Sequence, residues 1–227
     1  QMGLPVPPGF TITTDACREF LTTGVVPAAL NEQIKTALAN LEKTVGKKFG
    51  DPTSPLLVSV RSGAKHSMPG MMETVLNVGI TPEVADAMAK TSGNEKFAQD
   101  SYRRFIDMFG RIVCDLPDEV VHKVESIYLK KENVKVVAEL SAQSLKALAQ
   151  DLIQAIEQFT KKPFPTNPFD HLTQSIEAVF KSWNSERAQL YRRRERIASD
   201  LGTAVNIQSM VFGNLSDDSG TGVAFTR

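Results

Sequence analysis

The sequence predicts a mixed α/β protein of the α+β kind, with strands near both ends of the chain and a helical middle. Three observations predict it. Residues 1–80 are rich in Gly, Pro and Met and carry short β-like runs. Residues 81–200 place apolar side chains at helical spacing, and residues 201–227 return to alternation. At 227 residues the chain suffices for one large domain or two small ones with a sizeable core.

In chain order, Pro5-Val6-Pro7-Pro8-Gly9-Phe10 reads as a turn or extended segment, because each proline fixes φ and constrains its predecessor. Phe10-Thr11-Ile12-Thr13 alternates as a short strand, and Thr14 or Asp15 is placed to cap a helix through Leu21. Leu30, Ile34, Leu38 and Leu41 share one face of a helix over Ala28–Val45, with Gly46 as its stop. Pro55–Val60 is a compact apolar run expected as a buried strand. Thr81-Pro82-Glu83 is a helix start. Phe97, Tyr102, Phe105, Ile106 and Phe109 mark an amphipathic helix ending at Gly110, and Ser144–Thr160 carries another. The prolines of Lys162–Pro168 force a break and a subdomain boundary. One helix is expected from His171 to Arg196. Ala204–Phe212 and Val223–Phe225 read as strands joined by a turn rich in Gly, Ser and Asp.

Composition narrows the function. The 26 Lys+Arg balance 26 Asp+Glu, which argues against a bulk electrostatic partner such as nucleic acid or an anionic membrane surface. A hydrophobic content of 41% excludes disorder and collagen. No apolar run is long enough to span a membrane, and Gln1-Met2-Gly3 shows no charged-then-apolar pattern of a signal peptide. Cys17 and Cys114 frame neither a zinc site nor a disulfide scaffold and suggest a reducing compartment. Because Val223–Arg227 breaks off within a strand-like run, the chain is expected to be a piece of a longer protein.

No standard phosphate-binding motif occurs: Gly46-Lys47 lacks its upstream glycine, and Gly220-Thr221-Gly222 fails the dinucleotide pattern. His66, His122 and His171 have no nucleophile at a recognised spacing and are expected at the surface. Two segments stand out. Val58-Ser59-Val60-Arg61-Ser62-Gly63-Ala64 delivers a guanidinium at the carboxyl end of a strand, where open α/β sheets bind ligands. Ser67-Met68-Pro69-Gly70-Met71-Met72 follows, with a glycine for close approach and methionines suited to cover a flat base or to act as a flexible lid. The second is Ser219-Gly220-Thr221-Gly222, whose backbone N–H groups suit an anion. The basic run Tyr191–Arg196 reads as a solvated helix face.

These segments, with Gly3–Phe10, Glu73–Gly79, Ser101–Phe105, Gly202–Gln208 and Ser219–Arg227, resemble the N-terminal nucleotide-binding region of the pyruvate, phosphate dikinase family. Phosphoenolpyruvate synthases share the Val-Arg-Ser core but lack the Ser-Met-Pro-Gly-Met-Met run. The resemblance implies an ATP-grasp-like fold. Residues 1–80 and 166–211 would form the first lobe, 81–165 a helical insert, and 212–227 the start of a truncated second lobe. It implies conversion of ATP, phosphate and pyruvate to AMP, pyrophosphate and phosphoenolpyruvate, through a phosphohistidine on a swivelling domain outside this chain.

The ATP-binding residues the resemblance implies are Arg61 on the phosphates, Gly70 and Met72 in a closing loop, Gln208 and Met210 beside adenine, and Thr221 and Gly222 at the terminal phosphate. No catalytic residue and no metal ligand is expected within the chain. The family's Gly-Gly-Lys-Gly segment would precede Gln1 and the magnesium-binding acids would follow Arg227, so the isolated chain is expected not to turn over. The resemblance further implies a homo-oligomeric full-length protein of the cytoplasm or an organelle. Other readings are a non-catalytic nucleotide-binding or partner-docking module, and a water dikinase of the phosphoenolpyruvate synthase type.

Overall fold

The computed structural model describes Gly3 and residues 5–66, 68–216 and 218–222. The fold is mixed α/β, with eight α-helices and a small antiparallel sheet among these residues. Strand β1 (Gly9–Ile12) leads into helix α1 (Thr14–Thr23) and helix α2 (Ala28–Val45). The α2 boundaries are those its leucine spacing predicts. Gly46 ends it in the left-handed conformation, its N–H bonded to the Glu42 carbonyl. Helix α1 starts earlier than expected, with Thr13 as the flanking residue and no side-chain cap.

The apolar run at 55–60 divides. Strand β2 (Lys48–Phe49) pairs in parallel with β3 (Pro55–Leu56), and the longer β4 (Val58–Gly63) continues past Arg61. With β5 (Thr74–Val78) and β6 (Ala204–Ser209), β4 builds a sheet of order β1-β6-β4-β5 in which every neighbour is antiparallel. Strand β6 pairs with β1 and β4 from the far end of the sequence, so everything between Gly79 and Thr203 is an excursion from one sheet. Met210–Phe212 lie beyond the strand, and the expected strand at Val223–Phe225 falls outside the described residues.

That excursion holds helices α3 (Pro82–Ser92), α4 (Glu95–Val113), α5 (Asp118–Glu132), α6 (Ala142–Thr160), α7 (Pro168–Ser182) and α8 (Glu186–Arg194). Thr81 caps α3 by accepting from the Val84 N–H at 3.2 Å, with Pro82 in the first turn. Helix α4 does not stop at Gly110. A methyl group there would meet Ile156 Cδ1 at 3.0 Å, so the glycine serves close packing of α4 on α6. The expected helix from His171 to Arg196 is two helices: α7 opens earlier at Pro168, and α8 starts where Ser185 accepts from the Ala188 N–H.

One continuous core runs from the sheet into the helices, including Val58, Val60, Val205 and Ile207 of the strands and Leu145, Leu148 and Leu152 of α6. Phe105, Phe109 and Phe164 surround His171 with centroids 5.0–5.5 Å from its ring. His171 is therefore not a surface residue. Only 3% exposed, it bonds through Nε2 to the Pro165 carbonyl at 2.6 Å, and burial holds its pKa below the ordinary value. This bond ties α7 to the proline-rich connector. His66 and His122 are exposed as expected.

Candidate nucleotide-binding face

Strand alternation sends Val60, Ile207 and Phe10 to one face of the sheet and Arg61, Asn206 and Thr11 to the other. Ser59 and Gln208 also lie on this second face, paired across β4 and β6, and Thr74 of β5 sits opposite Arg61. The result is a polar face backed by a largely apolar one, with Ser62 and Ser209 at its ends. Arg61 is not at the strand end as expected. It stands within β4, exposed, and donates through Nη2 to Gln208 Oε1. Gln208 Nε2 donates in turn to the Pro7 carbonyl at 2.8 Å. Thr11 Oγ1 donates to Asn206 Oδ1 at 2.7 Å. Gly63 leaves room for Asn206, whose amide nitrogen would lie 2.6 Å from any added Cβ. The remaining guanidinium donors of Arg61 suit an anionic oxygen.

The residues between β4 and β5 that the structure describes lie at the strand ends, where Gly63 and Thr74 of this face meet them in one cavity. Gly70 there takes φ 71°, a left-handed turn that a side chain would strain, and the Met71 N–H bonds the Met68 carbonyl at 3.1 Å. Gly70 and Met72 line a cavity of about 500 Å³ with Ser62, Gly63, Lys65 and Thr74. The segment's return is fixed by the Glu73 N–H donating to Ser182 Oγ at 3.4 Å and by an ion pair of Glu73 with Arg187.

At the opposite end of β6, Met210 and Thr221 line a second cavity of about 520 Å³ with Asn77, Arg103, Arg104 and Asp107. A side chain on Gly213 would collide with the Thr221 side chain and the Gly220 backbone, so the 213 and 220 backbones lie close together. Arg103 and Arg104 are held by Asp100 at 2.8 and 2.6 Å along α4. The structure thus brings Arg61 to Gln208, Gly70 to Met72, and Met210 to Thr221, but it does not enclose all seven predicted residues in one cavity. Gly222 is exposed.

Asn206, Thr11, Thr74 and the arginines of α4 were not singled out by sequence. Asn206 was recoverable, since it shares the parity of Gln208 on a visibly alternating strand; the others depend on register between distant segments. Among the described residues no group of three or more His, Cys, Asp or Glu converges to hold a metal ion.

A polar sheet face with an anchored arginine, flanked by a glycine-turn loop, defines an α/β ligand-binding domain. The chain belongs to the pyruvate phosphate dikinase AMP/ATP-binding domain family, which matches residues 23–227. It is 48% identical over 230 residues to pyruvate, phosphate dikinase of Entamoeba histolytica, covering 100% of this chain and 26% of that protein. Identity to the Clostridium symbiosum protein of that name is 46%, with 100% of this chain and 26% of the relative covered. Pyruvate, phosphate dikinase 1, chloroplastic, of Zea mays is also 46% identical, over 100% of this chain and 24% of its own length. The chain thus spans about a quarter of these relatives. No described helix is long and apolar enough to cross a membrane.

Proposed function

We propose that this chain is the ATP-binding part of a pyruvate, phosphate dikinase. The whole protein would convert ATP, phosphate and pyruvate to AMP, pyrophosphate and phosphoenolpyruvate. The observation that carries the reading is the Arg61–Gln208–Pro7 chain of hydrogen bonds on a polar sheet face, within a domain of the AMP/ATP-binding family. Arg61, oriented by Gln208, would neutralise phosphate oxygens. Gly70 and Met72 would close over the nucleotide, Gln208 and Met210 would flank adenine, and Thr221 and Gly222 would offer backbone N–H groups to the terminal phosphate.

In this reading the fold is ATP-grasp-like. Residues 1–80 and 166–211 form the first lobe, 81–165 a helical insert and 212–227 the entry to a second lobe. Phosphoryl transfer to a histidine on a swivelling domain would occur in the longer, homo-oligomeric protein, with magnesium held by residues outside this chain. The protein is read as cytoplasmic, and plant relatives named chloroplastic support an organelle form as the alternative.

The test is Arg61→Ala in the full-length protein. ATP-dependent phosphorylation of the carrier histidine is expected to fall by roughly 10²–10³, as for loss of a donor aimed at developing charge. An unchanged rate would overturn the reading. Running the complete reaction with and without added phosphate separates a dikinase from a water dikinase.

A further inference from the structure

Met68, Met71 and Met72 do not pack into the main core. Met68, with Ala64, Met71 and Met72 beside it, belongs to a separate small cluster built on Trp183 and Ala188 at the corner between α7 and α8. Trp183 is 1% exposed and is fixed twice. Its indole N–H donates to the Ser199 carbonyl at 2.8 Å, and its own carbonyl accepts from Arg192 Nη1.

Arg192 is the unexpected member. It lies in the basic run that reads as a solvated face, and Arg193 and Arg194 beside it are exposed, yet Arg192 is itself only 3% exposed. Its guanidinium carbon sits 4.1 Å from the Trp183 ring centroid. Its Nε has no partner among the described residues, and burial alone holds its pKa below the arginine value, with no neighbouring carboxylate acting against the shift. A guanidinium buried without a counter-charge is costly, and an apolar side chain would fill the same space more cheaply. What Arg192 adds is rigidity: it grips the tryptophan by its ring face and its carbonyl together. Methionines adapt readily to such a plate.

We propose that Trp183, clamped by Arg192, is the platform that sets the position of the loop after β4 beside the cavity it shares with Gly63 and Thr74 of the polar face, making Arg192 a positioning residue for nucleotide affinity. This rests on the nucleotide-binding reading above. In the full-length enzyme, Arg192→Met is expected to raise the KM for ATP about tenfold while kcat stays within about threefold, because a correctly placed loop contributes binding shared by ground and transition states. Arg192→Lys, which keeps the cation over the ring, is expected to recover most of that loss. Trp183→Phe is expected to raise the same KM and to abolish the part of the ATP-induced fluorescence change that Trp183 supplies. Phosphoryl exchange between phosphoenolpyruvate and pyruvate, which needs no nucleotide, is expected to be unaffected.

An ATP KM within twofold of wild type in both Arg192→Met and Trp183→Phe overturns the proposal. So does an equal fall of kcat, thermal midpoint and ATP affinity in Arg192→Met with no recovery in Arg192→Lys, which would mark a structural role only. The two readings fail separately. A normal ATP KM in both Arg192→Met and Trp183→Phe beside a damaged Arg61→Ala removes the platform alone, whereas an unaffected Arg61→Ala removes the nucleotide site.

Discussion

The two faces of the four-stranded sheet are made of alternate residues of the same strands, and they do opposite work. On one face Val58, Val60, Val205 and Ile207 are fully buried beneath α1 and α7. On the other, Arg61 is exposed, Asn206 and Gln208 are half-buried, and the side chains satisfy one another or the backbone of Pro7. A pleated strand can therefore carry stability and ligand chemistry at adjacent positions with little interference, because neighbours point apart. The comparison predicts that substitutions on the two faces separate cleanly into folding and binding phenotypes.

The largest effect is expected deep in the apolar side. Phe105→Ala removes a fully buried ring from the cage around His171 and is expected to lower unfolding free energy by about 3–5 kcal/mol, read as a fall in denaturant midpoint. Ile207→Ala, one residue from Gln208 but on the opposite face, is expected to cost about 2–5 kcal/mol. Arg61→Ala, by contrast, is expected to leave stability within ~0.5 kcal/mol while lowering nucleotide-dependent phosphorylation by roughly 10²–10³. A large stability loss in Arg61→Ala would break the comparison.

Smaller effects sharpen it. Gln208→Met leaves Arg61 without its acceptor on the exposed face, and nucleotide affinity is expected to fall by about 1 kcal/mol, roughly fivefold, with the melting profile unchanged. On the buried side, the depressed pKa of His171 means the unfolded chain takes up its proton first as pH falls. Stability is expected to be level above pH 6.5 and to decline below it, through the folded pKa. His171→Gln should flatten that slope, as measured by denaturant melts at several pH values. The smallest effect concerns the thiols. Burial raises the pKa of Cys17 and takes Cys114, beside Asp115, to about 11. Both are expected to react slowly with thiol reagents at neutral pH in the folded protein and quickly once denatured.

What could be read from sequence follows the range of the interaction responsible. Helix α2 is legible because Leu30, Ile34, Leu38, Leu41 and the stopping Gly46 are all local signals. The α7–α8 corner was read through because neither Gly nor Pro marks it; the Ser185 cap was its only local sign. Gly110 misled for a different reason, since its purpose is the approach of Ile156 from another helix. The burial of Arg192 and His171 likewise depends on aromatic partners brought in by the fold. At the site, family resemblance picked out Arg61 and Gln208, but their hydrogen bond depends on the pairing of β4 with β6 across 147 positions, which no local pattern encodes.

Hydrogen exchange of the full-length protein, with and without a non-hydrolysable ATP analogue, tests most directly whether nucleotide lies on the polar sheet face. Slowed exchange in residues 64–74 and 204–222, with α5 and α6 unchanged, is the predicted result. Protection confined to α5 and α6, or absent from both of the first two segments, would contradict it.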